Sequence, residues 1–226
     1  TIAYLPPTRI VWQETSGSSS IEGIDKLLLP GNGQAELVGG KECVIRKRPD
    51  GKVSFLLDFG KELQGGIQIV TGQSSRKEAK VRIRFGESVS EAMCDITPEN
   101  GATNDHAIRD FHFTLPWLGV AEIGNSGFRF VRIDVEEPDI DLLLKEVRAT
   151  FGYRDIPYLG SFKSDNDRLN DIWMTGAYTV HLNMQEYIWD GVKRDRLVWI
   201  GDLHPELMTV NTVFGYNEVI PKSLDL

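Results

Sequence analysis

The sequence predicts a mainly β protein, an antiparallel β-sandwich of jelly-roll type followed by two or three α-helices. From about residue 5 to residue 153 the apolar residues recur with period two in short bursts, separated by Gly, Pro, Asn or Asp clusters at the spacing of an antiparallel sandwich. At Asp155-Ile156-Pro157 the alternation stops, and beyond it apolar residues recur at three and four, the period of a helix. The length of 226 residues, 41% of them hydrophobic and 26% charged, leaves room for one large or two modest globular domains. The expected division is a sandwich over 1–156 and a helical part over 157–226.

The clearest strands are KVSFLLDFG (52–60), GGIQIVTG (65–72), AKVRIRFGES (79–88), AIRDFHFTL (107–115), GFRFVRIDV (127–135) and LLLKEVRATFGY (142–153). In 127–135 the alternation is imperfect, as in a strand whose two faces are both partly covered. RPDGK at 48–52 reads as a hairpin turn. From Ser88 to Asp105 the periodicity disappears among Pro, Gly, Asn and Thr, which predicts a long surface loop.

After YLGSF the chain enters a helical pattern with Ser164 as its expected N-cap and Asp165 and Asp167 where the helix dipole favours anions. Leu169, Ile172, Trp173, Gly176, Ala177 and Val180 form its apolar stripe, the small residues suiting close helix packing. Gly191 and a dense group of charges then break the stripe and predict a polar loop. Asp202 reads as the N-cap of a second helix with Pro205 in its first turn and an apolar face of Leu207, Met208, Val210 and Val213. Two such helices bury no core of their own. They either dock on the sandwich or open a larger helical domain cut off in this chain.

The formal net charge of −8 argues against a broad basic surface and hence against nucleic acid. No run of about 18 apolar residues occurs, which argues against a membrane span. Cys43 and Cys94 stand in no metal-ligand spacing and are read as free thiols ahead of a disulfide. His106, His112, His181 and His204 form no zinc-ligand pattern, so they are read as surface or core imidazoles, and no metal or cofactor is expected.

The stretch QEYIWDGVKRDRLVWIGDLHPE (185–206) sets Asp190, Lys193, Arg194, Asp195, Arg196 and Asp202 among Tyr187, Trp189 and Trp199. An ordinary surface has no use for the rings, and an ordinary core does not accept the charges. The stretch is therefore either a buried ion network or a polar ligand site. Glycoside hydrolysis needs a protonated carboxylic acid at the leaving oxygen and, for inversion, a second carboxylate about 6.5–9.5 Å away. Apolar walls and like charges would raise an acid's pKa here, whereas Lys193, Arg194 and Arg196 would lower it. Trp189 and Trp199 suit the C–H face of a sugar, or plain packing.

Tyr158–Leu226, with Asp190, Gly191, Val192, Arg194, Asp195, Trp199, Gly201 and Asp202 in order, resembles the entrance to the catalytic domain of α-L-rhamnosidases of glycoside hydrolase family 78. Upstream, LLDFGKELQGGIQI (56–69) and VRIRFGESVSEAM (81–93) resemble the β-sandwich that precedes that domain in the same family. The resemblance implies an (α/α)6 barrel after the sandwich and metal-free, inverting hydrolysis of terminal α-L-rhamnosides. By position it implies that Asp190 and Asp202 bind rhamnose hydroxyls and that Asp195 is the general acid. It further implies that Trp199 is an aromatic of the sugar pocket; Trp189 and Arg194 are taken as further substrate-binding candidates, although the residues themselves favour an ion-pair role for Arg194 and Arg196. Asp195 stands where the family more often has Glu. The general base would come from later in the barrel than Leu226, so the chain is expected to be a fragment of a rhamnosidase acting on rhamnose-containing oligosaccharides or glycosides. A periplasmic or extracellular setting follows from the resemblance, the cytoplasm stays open, and the oligomeric state is not legible. The alternative is a carbohydrate-binding sandwich without catalysis, using Trp12, Trp117, Tyr153 and the 88–105 loop.

Overall fold

The computed structural model describes residues 1–37, 42–97, 99 and 107–226. The chain forms two compact units, Ala3–Phe151 and Gly152–Leu226, the second joined by Thr1 and Ile2. The mainly β, antiparallel character followed by helices is as the alternation predicts.

The first unit contains strands β1 (Ile2–Leu5), β2 (Arg9–Thr15), β3 (Ser20–Glu22), β4 (Cys43–Lys47), β5 (Val53–Thr71), β6 (Glu78–Gly86), β7 (Asp110–Pro116), β8 (Gly119–Val135) and β9 (Ile140–Gly152). A 3-10 turn lies at Ile24–Leu28 and a short helix, α1, at Val89–Met93. The two sequence strands at 52–60 and 65–72 are one long strand, β5, that belongs to both layers. Its first half pairs with β2 and with the end of β8, and its second half pairs with the start of β8 and with β9. The layers are thus one continuous hydrogen-bonded sheet in the order β3-β4-β9-β5-β8-β6-β7. Phe55, Leu57, Ile67, Ile69, Ile83, Phe85 and Phe128 are fully buried within it, and the Phe128 ring meets Phe59 and Phe85 edge-on.

The change of layer happens at the register shift between Asp58 and Leu63, where residues 59–62 bulge out of the pairing with β8. Asp58, 1% exposed, pins the bulge. Its carboxylate accepts hydrogen bonds from the Gly60 N–H at 2.7 Å, Arg129 at 2.8 and 3.0 Å and Arg9 at 2.8 Å. Gly60 has φ +86°, a conformation that a Cβ would strain. The DFG of the sequence is therefore a bulge motif.

Two expectations for this unit change. The RPDGK turn is present, with Gly51 N–H donating to the Arg48 carbonyl at 3.1 Å, but it closes no hairpin, because β4 pairs with β3 and β9 rather than β5. The expected loop from Ser88 begins with α1. Ser88 Oγ accepts the Glu91 N–H, and the Glu91 carboxylate accepts the Glu87 N–H, a capping pattern legible in the Ser88-Val-Ser-Glu91 spacing and missed there. Residues 98 and 100–106, His106 among them, lie outside the described residues.

The second unit holds α2 (Asp167–Asn183), α3 (Ile200–Val213) and α4 (Val219–Leu224). Ala177, Met184, Ile188, Leu203, Val210, Val213, Phe214 and Val219 form its core, with Tyr158, Trp173 and Val198 packed against it. Leu159 and Gly160 donate their N–H groups to the Val213 carbonyl at the end of α3. A Cβ on Gly160 would lie 2.1 Å from the Thr212 carbonyl oxygen, so only glycine permits this approach.

The caps differ from expectation. Asn166 caps α2, accepting the Arg168 N–H, because Ser164 is engaged with the Asn166 backbone and with the Asn170 side chain. Trp199 holds the N-cap position of α3, which places Asp202 in the first turn and Pro205 inside the helix. Gly176 makes no close packing: a Cβ there would meet nothing within 4 Å. Ile172, Gly176 and Met208 instead line an open groove of about 320 Å³, with Ile172 and Met208 more than half exposed. The buried residues of α3 are Leu203, Glu206, Val210 and Val213, with Leu207 packed against the same core and Met208 exposed, so a carboxyl joins the inward face that the apolar pattern gave to Leu207, Met208, Val210 and Val213.

Candidate functional site

The site grows from the end of α2. The Asn183 carbonyl accepts the N–H groups of Gln185 and Trp189, and Met184 bridges to Ile188, both of whose side chains are fully buried. Ile188 N–H is taken by Ser223 Oγ of α4. This anchoring delivers Trp189 and Asp190 at the base of the polar loop.

Asp190 closes the loop. Its N–H donates to the Leu197 carbonyl, and its carboxylate accepts the Leu197 N–H, each at 2.9 Å. Within the loop, buried Val192 gives its carbonyl to Arg196 Nε at 3.0 Å, and the Arg196 guanidinium lies 5.4 Å from the centre of the Trp189 ring. Burial lowers the Arg196 pKa from its ordinary value. One face of Trp189 is therefore covered by a cation, and Arg196 is held by the Val192 carbonyl and the Trp189 ring.

Asp195 and Arg196 both adopt left-handed backbone, at φ +62° and +56°, a region where a non-glycine residue costs about 1–2 kcal/mol. Two consecutive residues held there in a half-buried loop mark a geometry that the surroundings enforce. Arg194, largely exposed, places Nε 3.7 Å from the Asp195 carboxylate. After the loop comes Trp199, 51% exposed, whose carbonyl accepts the first N–H groups of α3 from Asp202 and Leu203.

Glu206, one turn beyond Asp202 and only 9% exposed, is the functional candidate that the sequence reading missed. Its Oε1 accepts a hydrogen bond from Asn183 Nδ2 at 3.3 Å. Burial raises its pKa to about 7, outweighing the Asn183 bond, and the charges of Asp202 and Asp190 add to the rise. The structure thus brings Asp190 and Asp202 to bear on one buried carboxyl, while Asp195 is set beside Arg194. The available signal was an acidic residue at i+3 from Leu203 and i−4 from Val210, on the stripe that turns inward.

Of the sandwich residues considered for sugar contact, Trp12 packs with Val11 and Met93 on a small cluster and carries Arg132 at 5.1 Å over its ring. Trp117 is 38% exposed with its Nε1–H on the Ser74 carbonyl, and Tyr153 meets His181 edge-on. His181 itself is a core imidazole bonded to the Tyr158 hydroxyl and the Arg154 carbonyl. Among the described residues no group of three His, Cys, Asp or Glu side chains is placed to hold a metal ion, and no helix is long and apolar enough to cross a membrane. Cys43 and Cys94 are free thiols.

The comparisons with known proteins bear on a sandwich followed by helices whose loop gathers carboxylates and tryptophans. Residues 157–226 match the bacterial α-L-rhamnosidase six-hairpin glycosidase domain. The chain resembles the α-L-rhamnosidases of glycoside hydrolase family 78, as its motifs imply. The family 78 rhamnosidase of Bacillus sp. GL1 aligns with 89% of this chain at 21% identity and a TM-score of 0.72, and this chain covers 20% of it. The Klebsiella oxytoca rhamnosidase, solved with rhamnose bound, aligns with 99% of the chain at 17% identity and a TM-score of 0.70, with 43% of its own length covered. The Aspergillus terreus α-L-rhamnosidase aligns with 86% of the chain at 24% identity and a TM-score of 0.52, and 20% of its length is covered. This chain therefore spans less than half of each of these proteins. No curated protein matches it.

Proposed function

We propose that residues 184–206 form one edge of a terminal α-L-rhamnosyl subsite in a glycoside hydrolase, within a helical domain that begins near residue 157 after a sandwich over 1–156. In this reading Asp190 and Asp202 accept hydrogen bonds from sugar hydroxyls, Trp199 presents an open ring to the sugar, Trp189 and Arg194 line the edge, and Asp195 is the general acid. The observation that carries it is the match of 157–226 to the rhamnosidase domain, whose motif residues fall on one closed loop and the first turn of α3. The left-handed backbone at Asp195 supports its role, because strain of this kind gathers at reacting groups and re-aims a side chain shorter than Glu. Arg194 Nε lies 3.7 Å from the Asp195 carboxylate, so in this reading Arg194 pairs elsewhere once sugar is bound.

We assign no second carboxylate on this chain to the water-activating role that inversion needs. The expected behaviour of the 226-residue chain is rhamnose binding without turnover. Calorimetric titration with L-rhamnose, alongside an aryl α-L-rhamnoside assay, tests it. Asp190→Asn and Asp202→Asn should each weaken binding by at least about tenfold, the loss of a charge-assisted hydrogen bond. Binding that survives both substitutions and is lost on Trp117→Ala would move the sugar to the sandwich, and robust hydrolysis by the purified chain would overturn the assignment of half a mechanism.

A further inference from the structure

We propose that Glu206 is a positioning residue of the sugar subsite: a buried carboxyl that, through Asn183, holds the start of the loop that carries Asp190. The inference rests on the reading of residues 184–206 as that subsite.

Three features lead to it. Glu206 occupies the buried stripe of α3 between Leu203 and Val210, a position whose packing calls for an apolar side chain. A carboxylate is rarely tolerated there without a cation, whereas a carboxylic acid is far cheaper to bury. The charged groups that act on Glu206 are Asp202 on its own helix and Asp190 in the loop, both negative, while the group that meets it from α2 is the neutral Asn183 amide. A buried carboxyl with a neutral amide as its hydrogen-bond partner is favoured in its protonated form.

The second link is mechanical. Asn183 donates its side-chain amide to Glu206 and gives its backbone carbonyl to the Trp189 N–H at 3.0 Å, immediately before Asp190. The residue that senses Glu206 therefore sets the start of the loop that carries Asp190. Ionised Glu206 would add a third negative charge beneath the two that must accept sugar hydroxyls, at the point where that loop is anchored. The neutral state is the binding-competent one.

The test uses the whole 226-residue chain with carboxyl-¹³C glutamate, titrated by NMR from about pH 4 to about pH 9, with Glu206→Gln identifying the resonance and L-rhamnose binding measured at the same pH values. Glu206 should titrate near neutrality, and at lower pH in Asp190→Asn and in Asp202→Asn. Rhamnose affinity should fall about tenfold per pH unit above that midpoint, as the competent fraction falls. Glu206→Gln, a neutral isostere that keeps an oxygen for Asn183, should hold the low-pH affinity throughout. Titration of Glu206 in the ordinary carboxylate range, an unchanged pH slope in Glu206→Gln, or loss of binding in that variant at every pH would each overturn the proposal. Rhamnose failing to bind while Glu206 titrates near neutrality would instead overturn the sugar reading and leave the buried, neutral Glu206 standing.

Discussion

Asp58→Asn tests whether a single carboxylate holds the bend between the two layers of the sandwich. Burial pushes the Asp58 pKa up, but the bonds from Arg129, the Gly60 N–H and Arg9 outweigh it and bring the pKa down from 3.8 to about 2. A depressed carboxyl pKa stabilises the fold above the unfolded value, and that contribution is lost as pH falls through the folded value. The difference in pKa, at 1.36 kcal/mol per unit, corresponds to about 2.5 kcal/mol present above pH 3.8 and gone below about pH 2. Asn preserves size and can still accept the Gly60 N–H, but it gives up the ionic part of three arginine contacts. Urea denaturation followed by tryptophan fluorescence should therefore show Asp58→Asn less stable than wild type by about 2 kcal/mol at neutral pH, with the two converging near pH 2. A deficit of equal size at both pH values would mean that shape, not charge, is responsible. No deficit at neutral pH would remove Asp58 from the bulge argument altogether.

Glu206 gives the opposite pH dependence. Its pKa is raised from 4.5 to about 7, so its stabilising state is fully populated below 4.5 and is lost as pH rises through about 7. Wild type should lose about 3 kcal/mol relative to Glu206→Gln across that window in denaturant titrations of the helical unit, and parallel curves would refute the burial argument. At position 195 the left-handed backbone should make Asp195→Gly more stable than Asp195→Ala by about 1 kcal/mol in thermal denaturation, the reverse of the order at an ordinary helical or strand position. The same stability in both variants would mean that the loop relaxes out of the left-handed region.

The sequence by itself determined the class of structure. Alternation of apolar residues dictates the buried face of β9, because side chains on a strand point to opposite sides with period two, whereas β5 is buried on both faces. The stretch from Asp190 to Asp202 stood out because it interleaves charged residues with large aromatic rings. Three things were decided only by tertiary structure. That β5 is one strand in two layers depends on Asp58 meeting Arg9 and Arg129, which lie far away in the chain. The caps of α2 and α3 depend on which side chain was free to reach a backbone N–H, and Ser164 was already engaged. Glu206 looked like one more surface acid of an acidic protein. It became the most perturbed carboxyl of the helical unit because the rotation of α3 turns that position inward, against Asn183 and within reach of Asp190 and Asp202, and neither burial nor through-space charge is written in local spacing.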